Sequence, residues 1–180
     1  MQSYQLYRLL SEHETDPETL DTVHTQIAGL MMELARSEKG TLEEFREYVS
    51  EKLSAGVQTQ NDQITMRLMF GESYYYDRNW QEAHQSLTNL TSENPNVTGI
   101  EKEIGMAFLF NALSLIELGN YDAARESFIS ACEIPYPDKK AWKHIEDMKK
   151  LAAQHFRKVA RDFNRPQDIQ YANDILGGAR

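Results

Sequence analysis

The chain has 180 residues and a hydrophobic fraction of 41%, enough to bury the core of one domain or of one array of small helical units, and no stretch approaches the ~18 apolar residues of a membrane span. A net charge of -9 argues against a general nucleic-acid binder, and a single cysteine, Cys132, excludes an internal disulfide framework. The opening residues MQSYQLYRLL lack a charged segment followed by an apolar one, so no secretory signal is expected and the expected location is cytoplasmic.

Helical signals dominate, because the prolines and most glycines sit between periodic apolar runs and no run alternates with strand period. The expected fold class is all-α, with helices over 3–12, 17–38, 41–55, 61–77, 80–93, 99–118, 121–133, 139–162 and 167–175. Asp16-Pro17 supplies an N-cap followed by proline at the first helical position. Thr41 to Glu44 and Thr98 to Glu101 both read as capping boxes, and Asp138 is placed to cap the helix after it. Helices 17–38 and 41–55 form a hairpin around Gly40, with Leu20, Val23, Ile27, Leu30, Met31 and Leu34 facing Leu42, Phe45, Val49 and Leu53. The layout expected is one domain: N-terminal helices 1–60, two repeat-like hairpins 61–135, a basic helix 136–165 and a short helix and tail 166–180.

Charge is uneven along this layout. Residues 1–138 carry 9 Lys/Arg against 23 Asp/Glu, whereas residues 139–165 carry 9 against 3. The basic block reads either as a solvated face that offsets an acidic body or as a docking surface for an acidic partner.

Two segments align when Ala83 is laid on Ala124. In the first, Phe70, Gly71 and Tyr74 precede Trp80, Ala83, Leu87, Leu90 and Pro95. In the second, Asn111, Ala112 and Leu115 precede Tyr121, Ala124, Phe128, Ala131 and Pro135. The spacing from Gly71 to Ala83 and from Ala112 to Ala124 is 12 in both. Small residues at these positions let two antiparallel helices approach closely. The motifs R-x2-F-G-x2-Y then A-x3-L, and F-x2-N-A-x2-L then A-x3-F, resemble the tetratricopeptide repeat family, whose unit is 34 residues long. The turn Gly119-Asn120-Tyr121 matches the family's inter-helix turn. In the first copy Asn79 is expected to take the left-handed conformation that Gly119 supplies in the second. The copies are 41 residues apart, longer than the family's unit, with the additional residues at 94–104. A third unit starts at Trp142 and Ile145 but has no turn signal beyond Lys149, as in a terminal capping helix.

The resemblance implies stacked hairpins in a right-handed superhelix and a concave face lined by the first helix of each pair. Carried across, that face comprises Thr65, Leu68, Glu72 and Tyr75, then Met106, Leu109, Leu113 and Ile116, then Lys140, Lys143, Asp147 and Lys150. Tyr76 turns toward the same side. The family's Lys/Asn clamp for peptide C-termini is absent, because Leu68 and Glu72 stand at matching positions. Helix 99–118 is apolar nearly all round, which requires burial on every side. Either the N-terminal helices cover it, or it takes a partner helix or a second copy of the chain.

No catalytic constellation, metal-ligand spacing or phosphate-binding loop stands out, so an enzyme, a metal and a cofactor are not expected. The expected function is a scaffold that binds a protein or peptide partner, helical or acidic. The alternatives are a self-associating module and a small chaperone for a secreted or assembled partner.

Overall fold

The computed structural model describes residues 2–37, 40–57, 59–94, 98–135 and 143–177. Among them lie nine α-helices and no strand: α1 (Gln2–His13), α2 (Pro17–Arg36), α3 (Leu42–Ala55), α4 (Gln60–Tyr76), α5 (Trp80–Glu93), α6 (Glu101–Glu117), α7 (Tyr121–Glu133), α8 (Lys143–Asp162) and α9 (Pro166–Leu176). The protein is all-α. The expected cap Asp138, the motif residue Pro95 and the repeat-matching Trp142 fall outside the described residues.

The chain divides into two units, residues 1–78 and 79–180. The first of the two repeat copies therefore has its first helix in one unit and its second in the other, while the second copy lies wholly in the second unit.

In the first unit, local chemistry sets the helix starts. Asp16 accepts a hydrogen bond from the Thr19 amide at 2.9 Å, and Pro17 needs no partner for a missing N–H. Thr41 and Glu44 form the expected reciprocal box. The core is Ala28, Met32, Phe45, Val49 and Met66, joining α2, α3 and α4. Buried Asp21 on α2 accepts from the Thr59 amide at 2.9 Å and its hydroxyl at 3.0 Å, which pins the start of α4. Arg46 on α3 reaches Asp77 at 2.8 Å and lies over the Tyr74 ring at 4.9 Å.

In the second unit, α6 packs on α5, α7 and α8, and α8 packs on α7 and α9. Ala112 and Ala124 are buried at the α6–α7 hairpin. The turn after α6 has Gly119 at φ 74°, with Gly119 N–H donating to Ile116 C=O at 3.0 Å and Asn120 N–H to Leu115 C=O at 2.9 Å. This is the closure that satisfies orphan carbonyls at a helix end.

Three expectations need correction. The left-handed residue in the first copy is Arg78, at φ 59°, not Asn79. Asn79, at φ -89° and ψ 72°, instead matches Asn120, at -92° and 76°. Second, α6 starts at Glu101 with Ile100 as its N-cap. Gly99 has φ 85°, a left-handed backbone that cannot open a right-handed helix, so Thr98 stands outside it. Third, a turn of the same type does follow α8. Asn164 has φ 51°, and Asn164 and Arg165 N–H groups donate to Arg161 and Ala160 carbonyls at 3.0 and 2.9 Å. So α8 and α9 form a further hairpin, and α8 is not a lone capping helix.

Candidate functional site

The exposed side of α8 carries a row of basic side chains. Lys143, Lys150, Lys158 and Arg161 are exposed and share one face with Asp147, at spacings of 7, 8 and 3 residues that keep them in register with the helical turn. At 1.5 Å per residue the row spans about 27 Å. Leu151, 40% exposed, lies beside it. The opposite side of α8 buries Ile145, Ala152, Ala153, Phe156 and Ala160. Lys149 is the one lysine drawn inward, 3.8 Å from Glu146.

The other expected contact residues lie differently. Met106, Leu109 and Leu113 on α6 are buried, Ile116 is half-buried, and α6 is packed by three helices of its own unit. Leu68 is buried in the first unit; Thr65, Glu72, Tyr75 and Tyr76 are half-buried. Tyr76 packs against that unit's core with the Arg36 guanidinium 4.5 Å above its ring, and burial raises its pKa above 10.0. Lys140 lies outside the described residues.

Two polar constructions in the second unit were not foreseen. A chain of hydrogen bonds runs through α5, α6 and α7. Ser127 Oγ–H donates to Phe108 C=O at 2.9 Å, so Ser127 must accept from Asn111 Nδ2 at 3.3 Å. That turns Asn111 Oδ1 toward His84 Nδ1 at 2.8 Å, which requires a proton on Nδ1. The visible sign was Asn111, a polar residue inside an otherwise apolar helix.

The second construction joins α7 to α9. Asp168, 6% exposed, accepts from Tyr121 Oη–H at 2.7 Å and from Arg125 Nε–H at 2.7 Å. Burial pushes the Asp168 pKa up, but the Arg125 and Tyr121 hydrogen bonds outweigh it and hold the carboxyl below 3.8. The Tyr121 ring stacks on Phe156 at 5.3 Å, with the Arg165 guanidinium 4.6 Å from its centroid. Arg165 in turn reaches Asp122 at 2.6 Å. Burial first, then the Asp168 bond, raises the Tyr121 pKa. These groups are mutually satisfied and have a structural role. Cys132 is half-buried, and burial raises its thiol pKa.

Among the described residues no group of His, Cys, Asp or Glu could hold a metal ion, and no helix is long and apolar enough to cross a membrane. Set against protein-family models, curated proteins and solved structures, the chain matches none.

Proposed function

We propose that the protein is a protein-interaction scaffold of stacked helical hairpins, of the tetratricopeptide type, and that its docking surface is the exposed face of α8. The partner presents an acidic segment to Lys143, Lys150, Lys158 and Arg161, with an apolar side chain against Leu151. The observation that carries this reading is the contrast within one expected surface: Lys143 and Lys150 reach solvent, while Met106, Leu109 and Leu113 are buried. The repeated turn at Gly119 and Asn164, each joining two helices that pack on one another, supports the hairpin resemblance.

The test is capture from native lysate by the wild type and by Lys143→Glu/Lys150→Glu. Both residues are exposed, so the variant should melt like the wild type. Partner recovery should fall at least about tenfold (about 1.4 kcal/mol), and wild-type recovery should weaken as salt rises. Equal recovery by both proteins would sink the proposal.

Self-association is the second reading, and it draws on α1, where Leu6, Leu9 and Leu10 are 58%, 55% and 46% exposed. Light scattering of wild type and Leu9→Glu over a concentration series tests it; a strict monomer at the highest concentration overturns it.

A further inference from the structure

In the first unit α2, α3 and α4 each have buried residues, whereas from Tyr4 onward every residue of α1 is half-buried or exposed. The backbone of α1 packs on α2 alone. Two cavities lie beneath it, of about 380 and 340 Å³, and Tyr4 lines both. A helix seated over voids lacks the partner atoms that would hold it down. The link from α1 to α2 carries its own bonds. The Glu14 carboxylate accepts from the Thr15 and Asp16 amides at 2.8 and 2.9 Å, and Asp16 caps α2. The start of α2 is therefore formed by the link itself, and α1 can leave as a body.

His24, half-buried on α2, lines the larger cavity. Its ring meets Tyr48 edge-on at 6.3 Å and makes no hydrogen bond among the described residues. The charged and titratable groups around it come from three helices: Tyr4, Arg8 and Glu12 from α1, Asp21 from α2 itself, and Tyr48, Glu51 and Lys52 from α3. Arg8 and Glu12 are exposed. Glu51 is bonded to Lys52 at 3.0 Å and Asp21 to Thr59, so both nearby carboxylates are engaged elsewhere. Burial, then Lys52, outweighs the pull of Asp21 and Glu51 and holds the His24 pKa below 6.5.

We propose that α1 is an acid-released lid on the α2–α3 hairpin, with His24 as its trigger. With α1 in place, the ring is cut off from part of the water that an imidazolium needs. With α1 swung out about the Glu14–Asp16 link, the ring regains that water. The open state therefore binds the proton better, and acid shifts the balance toward it. The sign follows. Closure is undiminished above 6.5, weakens as pH falls through 6.5 toward the lower closed-state value, and levels off below that. At neutral pH the lid is kept shut by the apolar side chains it shields, Ile27 beneath one side and Met31 beneath the other. The device lies wholly in the first unit and uses no residue of the α8 surface.

The experiment is amide hydrogen exchange of the full chain, followed by NMR at about pH 7.5 and about pH 5 and corrected for the pH dependence of intrinsic exchange. At both, the α1 amides should be at least about tenfold less protected than those of α2, which marks opening of α1 alone. Protection of α1 should fall at least about threefold on acidification. His24→Gln should keep the neutral-pH value and lose the fall. The coupling is reciprocal. Tyr4→Ala removes the side chain between the two cavities, so it should lower α1 protection at neutral pH and move the NMR titration midpoint of the His24 ring upward. If α1 is as protected as α2, it opens only with the whole unit, and the proposal is overturned. Equal α1 protection at both pH values overturns it too, as does a fall retained in His24→Gln or a His24 midpoint unmoved by Tyr4→Ala.

Discussion

Replacing Asp168 tests whether α9 is held to α7 by a charge-assisted bond or merely lies beside it. The carboxylate accepts two hydrogen bonds of 2.7 Å. Hydrogen bonds to a charged group contribute about 1.5–3 kcal/mol each when buried. Arg125 is 41% exposed, so its guanidinium can return to water, and that half of the interaction is worth at most about 1 kcal/mol. In Asp168→Asn the amide oxygen can still accept from Tyr121, so the expected loss is about 1–2 kcal/mol. Asp168→Ala also orphans the buried Tyr121 hydroxyl and leaves a void, raising the loss to about 3 kcal/mol. Both tryptophans of the chain, Trp80 and Trp142, belong to the second unit, so urea melts followed by tryptophan fluorescence report on that unit. The pH dependence has a definite sign. The folded-state pKa of Asp168 lies below 3.8, so its contribution is fully present above 3.8 and is lost as pH falls through the folded-state value. The gap between wild type and Asp168→Asn should be constant from neutral pH to about pH 5 and close below that. A gap under about 0.5 kcal/mol at neutral pH, or one that does not shrink in acid, refutes the reasoning.

Other positions offer cleaner single-cause tests by the same fluorescence melt. Gly119→Ala meets no atom within 4 Å, so its cost is purely that of holding φ at 74°, about 1 kcal/mol; a neutral result would mean the turn relaxes. Ala124→Leu should overpack the α6–α7 contact by about 1–3 kcal/mol, and a smaller loss would show that the hairpin has room. Asn111→Ala should cost about 1–3 kcal/mol by removing its bonds to His84 and Ser127 and leaving a void. Ser127 keeps Phe108 C=O and His84 keeps Thr88. Adding Ser127→Ala to it should cost little more, because the two act in one network.

Much of this architecture was legible from the order of residues. Helix ends followed local chemistry wherever a side chain served its own backbone, as at Asp16 with Thr19 and at Thr41 with Glu44. They were misplaced where the backbone alone decides. Gly99 looks permissive on paper, and only its left-handed φ excludes it from α6. Arg78 has no local preference for the left-handed region; it is placed there by the turn between two helices, a constraint its neighbours in sequence do not encode. The surface was legible in part. Helical spacing alone brings Lys143, Asp147 and Lys150 to one face. The resemblance to tetratricopeptide repeats put Met106, Leu109 and Leu113 on the concave face, and it does not tell that α8 packs on α6 and helps bury them. Asp168 and Tyr121 are 47 residues apart. Nothing short-range couples them, so periodicity had no means of pairing them.

The bond between Asp168 and Tyr121 bears on the order in which the molecule takes shape as it is made. Every hydrogen bond and core contact described for the first unit is available once residue 78 has been synthesised, so that unit can fold while the rest is still being added. The second unit is different. Tyr121 has no carboxylate to bond, and Phe128 lacks its neighbour Tyr171 at 6.0 Å, until α9 has emerged. For the time needed to add those residues, about 2–9 s at common elongation rates, the aromatic side of α7 is incompletely covered, its first cover being Phe156 of α8. A nascent chain should therefore pass through a state with one finished half and one half open to chaperones.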